Sequence, residues 1–336
     1  MPMPKPALAL AAAVSLGASP ALADTRIVTT LKPLTLIAQG IATPDMTVST
    51  LVPPGSSPHN YSMKPSQRRA LHDADVIFWV GPDMETFLAR LLASGEFRDR
   101  TVALLPGDGT EAQDAHDDHG EDHDDHGGHD DHDDHGEHHE DHGEHGNDNH
   151  AGHHEHHHDH GGDDPHIWLD PALAGEIAET MEHALAEQDG VDREALTRNL
   201  AQFKTALKQT EAEIQAKLAP VKDISLYSYH NAFVRFAEHY GLNLEGTLTL
   251  NPELSPGARH IAQIQERLGK AHHPCLLTEP QFNPGAWEVI TEALDVRFST
   301  WDPLATEVAE GPDGYLAFQH QIADAVLKCL PEDAEH

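Results

Sequence analysis

Apolar positions along the chain fall into short strand-like runs separated by stretches of helical spacing. In the first part, the pattern predicts a strand at Arg26–Thr30 and a helix at Pro33–Ile41, with proline in the first turn. A strand at Thr47–Leu51 and a helix at Pro65–Asp73 follow. Val76-Ile77-Phe78-Trp79-Val80 is an unbroken apolar run between Asp75 and Gly81. Such runs suit strands covered on both faces. An amphipathic helix at Met84–Ala93 and a strand at Thr101–Leu104 complete this part. Strand and helix alternate, which is the pattern of a parallel α/β sheet.

The rhythm returns near the other end. A strand at Ile224–Tyr227, running on towards Tyr229, precedes a helix at Ala232–Tyr240 and a strand at Asn243–Thr249. A helix at Pro256–Gly269 is predicted next, with Ser255 as N-cap and Gly269 as its stop. Strands at Cys275–Thr278 and Val296–Ser299 bracket a helix at Pro284–Leu294, and Pro312–Leu327 forms the last helix. Between the halves lie helical stretches at Pro171–Gln188 and Asp192–Leu218. The second is about 40 Å long at 1.5 Å per residue, the reach of a strut between two lobes. The expected class is α/β: two lobes, each a mostly parallel sheet of about four strands flanked by helices, joined by one long helix. The divisions are 24–110 and 165–191 for the first lobe, 192–219 for the connecting helix and 220–330 for the second lobe.

Residues 111–164 break this pattern. The stretch is almost entirely His, Asp, Glu and Gly, with 18 of the 29 histidines, 21 of the 57 acidic residues and no Lys or Arg. Its histidines are His116, His119, His123, His126, His129, His132, His135, His138, His139, His142, His145, His150, His153, His154, His156, His157, His158 and His160. Imidazole and carboxylate are the donors of borderline divalent metals, zinc first among them. A solvated acidic linker is the plainer alternative, although it needs no histidine. The stretch contains H-E-x-x-H at His154–His158, but glycines flank it and its surroundings are too polar to pack a helix, so it reads as a chance match. The formal charge of −36 argues against nucleic acid as a partner and suits cations.

The N-terminus has the form of a secretory signal: Lys5, an apolar run from Ala7 to Leu16, and Ala21-Leu22-Ala23 as a cleavage site before Asp24. Export makes a disulfide between Cys275 and Cys329 the expectation, with two buried thiols as the alternative. Two α/β lobes direct attention to the carboxyl ends of the strands, where such folds bind ligands. His59 follows the second strand. His166 lies where ordinary sequence resumes after the His-rich stretch. His230 directly follows a strand of the second half, and Asp302 follows the last strand.

Those residues sit in motifs that carry a family resemblance. Lys32-Pro33-Leu34, Pro58-His59-Asn60-Tyr61-Ser62, Val80-Gly81-Pro82-Asp83-Met84-Glu85, Asp164-Pro165-His166-Ile167-Trp168-Leu169-Asp170-Pro171, Tyr229-His230-Asn231-Ala232-Phe233 and Glu279-Pro280-Gln281-Phe282 occur in this order. The series resembles the zinc-binding solute receptors of bacterial ABC importers, the ZnuA type, over essentially all of residues 24–330. The resemblance implies a periplasmic, non-enzymatic receptor with one buried Zn²⁺ and a zinc ABC permease of the inner membrane as partner. A periplasmic zinc metallochaperone is a further candidate partner, and the protein is expected to be a monomer. His59, His166 and His230 match the family's ligand histidines, and Asp302 matches the place of a fourth, carboxylate ligand. Some members carry Glu before the first histidine, where this chain has Pro58. The fourth donor is therefore Asp302, Glu279 or a water, with Asp302 preferred. Imidazole rather than carboxylate at position 230 favours zinc over manganese. The His-rich stretch would be an auxiliary, weaker zinc site. An adhesin or metal-storage role is the rival from another class.

Overall fold

The structure is a computed structural model that describes residues 24–105, 164–249, 257–292 and 294–331. The signal segment, the 18 histidines of the His-rich stretch and Ser255 lie outside the described residues. The described residues all fall within one compact unit.

That unit contains two parallel four-stranded sheets. β1 (Thr25–Thr29), β2 (Met46–Thr50), β3 (Val76–Trp79) and β4 (Thr101–Ala103) form the first, in the order β2-β1-β3-β4. β5 (Leu226–His230), β6 (Leu244–Thr249), β7 (Cys275–Thr278) and β8 (Arg297–Thr300) form the second, in the equivalent order β6-β5-β7-β8. The inner strands β3, β5 and β7 are buried throughout, as parallel strands covered on both faces are. The edge strand β2 alternates between half-buried and exposed positions.

The first lobe carries α1 (Lys32–Ile41), α2 (Pro65–Asp73) and α3 (Thr86–Leu92). α3 starts later than expected because Glu85 folds its carboxylate back onto the N–H groups of Val80 and Gly81. α4 (Pro171–Ala186) is capped by Asp170, whose side chain accepts from Ala172 N–H at 2.8 Å. α5 (Arg193–Lys217) is the long connector, capped in the same way by Asp192. The second lobe carries α6 (Val234–Tyr240), α7 (Ala258–Lys270), α8 (Gly285–Thr291) and α9 (Gly314–Leu327). A 3-10 turn at Asn231–Phe233 delays α6 relative to the expected helix. Gly269 does not stop α7: the helix continues to Lys270, with Ala271 as C-cap.

α5 is not a bare strut. Leu196, Phe203, Leu207, Thr210 and Ile214 bury one face of it against α4, α1 and α9. A Cβ on Gly40 of α1 would lie 2.6 Å from Phe203 of α5, and one on Gly314 of α9 would lie 2.7 Å from Leu36 of α1. These close approaches leave room only for glycine. One apolar core therefore runs from Ile27 through α1, α5 and α9 to Val326, joining both lobes. Separate clusters cover the outer faces of the two sheets. The Cys275–Cys329 disulfide is present and staples the start of β7 to the end of α9. Among the described residues no helix is long and apolar enough to cross a membrane.

Candidate metal centre

The carboxyl ends of the two sheets bring three predicted residues together. His59 lies in the loop after β2. Gln67 of α2 braces that loop by accepting from Lys64 N–H at 2.7 Å and pairing with the Tyr61 hydroxyl. His166 precedes a 3-10 turn, Ile167–Leu169, that leads into α4. His230 is the last residue of β5. Their ring centroids are 5.1 to 5.9 Å apart, and one ring nitrogen from each lies within 4.8 Å of the others. His166 and His230 are buried, while His59 is half-buried.

Two of the rings are oriented from behind by carboxylates. His166 Nδ1 meets Asp164 Oδ1 at 2.7 Å, and His230 Nδ1 meets Glu279 Oε1 at 2.6 Å. A neutral ring that donates from Nδ1 presents a lone pair at Nε2. The two Nε2 atoms face each other at 3.3 Å. With both rings in that tautomer, the two inward lone pairs repel unless a cation lies beside both; with one ring in the other tautomer, the contact is a hydrogen bond. On tetrahedral zinc, nitrogens bonded at about 2.0–2.1 Å stand about 3.3 Å from one another.

The electrostatics keep the donors available. Burial, reinforced by the two neighbouring imidazoles, pushes His59 down to about 3. Burial also lowers His166, against the pull of Asp164. Burial raises Asp164, but its bonds with His166 outweigh this and hold it below the usual carboxylate range. Glu279 is pushed up by burial, and its Oε2 has no hydrogen-bond partner among the described residues. The cavity between the rings measures about 20 Å³ and is walled by Trp168, Phe282, Pro303 and Leu304. A cavity of that size admits one ion or water, whereas organic ligands need roughly 300 Å³ or more.

Asp302, the preferred fourth donor, is not part of the three-histidine cluster. Its Oδ1 accepts from Gln281 at 2.6 Å and from Leu304 N–H at 3.0 Å, and its Oδ2 from Thr306 N–H at 2.6 Å. The Asp-Pro step starts a turn whose N–H groups the side chain satisfies. Glu279, the alternative, lines the cavity but points one oxygen at the back of His230. Sequence reasoning missed Asp164 as the carboxylate that orients His166. Its spacing two residues before that histidine was the available signal.

The family model described as zinc-uptake complex component A, periplasmic, matches residues 27–329. The chain is 38% identical to the high-affinity zinc uptake system protein ZnuA of Haemophilus influenzae, covering 95% of this chain and 97% of that protein. It is 33% identical to the protein of the same name from Yersinia pestis, covering 92% of each. A crystal structure of ZnuA shares the fold, with a TM-score of 0.65 at 21% identity, over 90% of this chain and 99% of the other.

Proposed function

The chain belongs to the family of periplasmic zinc-uptake components A, and from this premise we propose that it captures Zn²⁺ with His59, His166 and His230 and delivers it to a membrane ABC permease. The observation that carries this reading is the pair of carboxylate-backed imidazoles whose Nε2 atoms stand 3.3 Å apart beside a third ring. Carboxylates behind ligand histidines fix the tautomer and raise donor basicity. Because His59 and His166 are already neutral at pH 7, binding there displaces few protons. Only coordinate bonds to the metal form and break: zinc is cargo. The fourth position falls to a water, because Asp302 joins only if it gives up its bonds to Gln281, Leu304 and Thr306.

In the same reading, the protein is exported by its N-terminal segment and works as a monomer in the periplasm. The His-rich stretch gathers zinc weakly beside the preorganised cleft, and a zinc metallochaperone is a second source of the ion. Weakness follows from the cost of ordering donors that are not held in place beforehand. Competitive titration against a chelator of known affinity tests the division. The native chain is expected to show one tight site and several weak ones. The His59→Ala, His166→Ala, His230→Ala variant should lose only the tight one, and deletion of residues 111–163 should keep it. A tight site that survives the triple substitution would move the primary metal chemistry into the His-rich stretch.

A further inference from the structure

His166 rides on the segment Asp164–Asp170, which, Asp164 apart, chain order assigns to the first lobe. Its long-range hydrogen bonds among the described residues go instead to the second half of the chain. Arg235 Nε donates to the Asp164 carbonyl at 2.9 Å, Arg235 Nη2 donates to the same oxygen, and Nε lies 3.5 Å from the Asp164 carboxylate. His239 meets Asp170 at 2.9 Å. Trp168 Nε1 donates to the Pro303 carbonyl at 2.8 Å, and the Tyr315 hydroxyl donates to the Trp168 carbonyl at 2.8 Å. Arg235 and His239 are one turn apart on α6, so a single helix face grips both ends of the segment.

We propose that Arg235 is a positioning residue for the ligand His166, acting through Asp164, so that α6 of the second lobe sets the aim of a ligand borne on the first-lobe chain. Asp164 Oδ1 accepts from both the backbone N–H of His166, at 3.1 Å, and its Nδ1, at 2.7 Å. The aim of the ring therefore depends on where Asp164 is held. A guanidinium offers a rigid planar fork, and here it holds the backbone carbonyl of that one residue and sets its charge 3.5 Å from Oδ2, a buried oxygen with no hydrogen-bond partner among the described residues. A fixed positive charge beside a cation site repels the cation. Its benefit to the site must therefore pass through the anion it holds. In this arrangement His166 and His230 are both held by the second lobe, and His59 is the ligand held by the first. The inference rests on the zinc reading of the cleft.

The test is the rate at which the full-length protein gives up zinc to excess chelator, compared for the native chain, Arg235→Met, Arg235→Lys, Asp164→Asn and the double variant Arg235→Met, Asp164→Asn. Loss of a partner behind a ligand weakens metal binding by about 10–100-fold. Arg235→Met is expected to speed release by at least about 10-fold within that range, with association little changed. Arg235→Lys should recover part of the loss, and the double variant should release zinc no faster than Asp164→Asn alone. That non-additivity separates a relay from general destabilisation. A native release rate in Arg235→Met, or effects that multiply in the double variant, would overturn the relay and leave the zinc reading intact. If Arg235→Met does not fold, Arg235→Lys combined with Asp164→Asn supplies the same cycle. A native chain that holds no zinc tightly would instead remove the reading on which the relay rests.

Discussion

Each sheet places a buried glutamate at the exit where its strand order reverses, and the two are bonded differently. In the first sheet, Glu85 follows β3 and accepts from Thr30 just past β1, from Val80 N–H at 3.2 Å and from Gly81 N–H at 3.1 Å. In the second, Glu279 directly follows β7 and meets His230, at the end of β5, at 2.6 Å, while its other oxygen has no hydrogen-bond partner among the described residues. Burial raises the pKa of both, Glu85 to about 7. Topology puts both carboxylates in the same kind of place. Their partners decide what they do. Glu85 closes a loop of backbone donors and has structural work only, while Glu279 orients an imidazole and keeps spare acceptor capacity beside the cavity.

The comparison is broken most directly at the imidazole. His230→Ala should abolish the tight site, a fall beyond the ~100-fold expected for an indirect partner, as read by chelator competition. The lobes also differ in covalent support. Reducing Cys275–Cys329, which closes a separation of 54 residues, should cost about 4 kcal/mol in the chain-entropy model, measured by denaturant unfolding. The glutamates themselves should separate by readout. Glu279→Gln should lower zinc affinity by about 10–100-fold and change unfolding little. Glu85→Gln points an amide donor at a donor and should cost about 1–3 kcal/mol of stability with zinc affinity unchanged.

The pH profile of the metal-free protein sharpens the same contrast. His59 falls from its ordinary 6.5 to about 3, so its contribution to stability is present above 6.5 and is lost as pH falls towards 3. Glu85 rises from 4.5 to about 7, so its contribution is present below 4.5 and is lost as pH rises towards 7. Unfolding free energy measured in steps from pH 3 to 8 should show the two opposing slopes, and Glu85→Gln should remove the one near neutrality. The smallest effect belongs to Asp302→Ala, which should change zinc affinity by less than about twofold, because its three hydrogen bonds already satisfy it.

Much of this was legible in the chain. An unbroken apolar run marked β3, alternation of strands and helices implied parallel sheets, and the proposed ligand histidines were singled out by their place at strand exits. What escaped depends on pairings that periodicity does not carry. The bonds of Asp302 are of this kind: the turn after it supplies N–H groups to its carboxylate. Glu279 was weighed as a ligand, and its bond to His230 spans 49 positions, beyond the reach of any local pattern. The long helix was legible as a connector, whereas its burial depends on Gly40 and Gly314 admitting close neighbours. Gly269 looked like a stop, but α7 runs past it to Lys270.

The most direct measurement is zinc-edge anomalous diffraction from crystals of the protein loaded with one equivalent of zinc. Expected is one strong peak at about 2.0–2.1 Å from a ring nitrogen of each of His59, His166 and His230. A principal peak among the histidines of residues 111–163, or one bound by Asp302 without the three imidazoles, would contradict the placement of the cargo in the cleft.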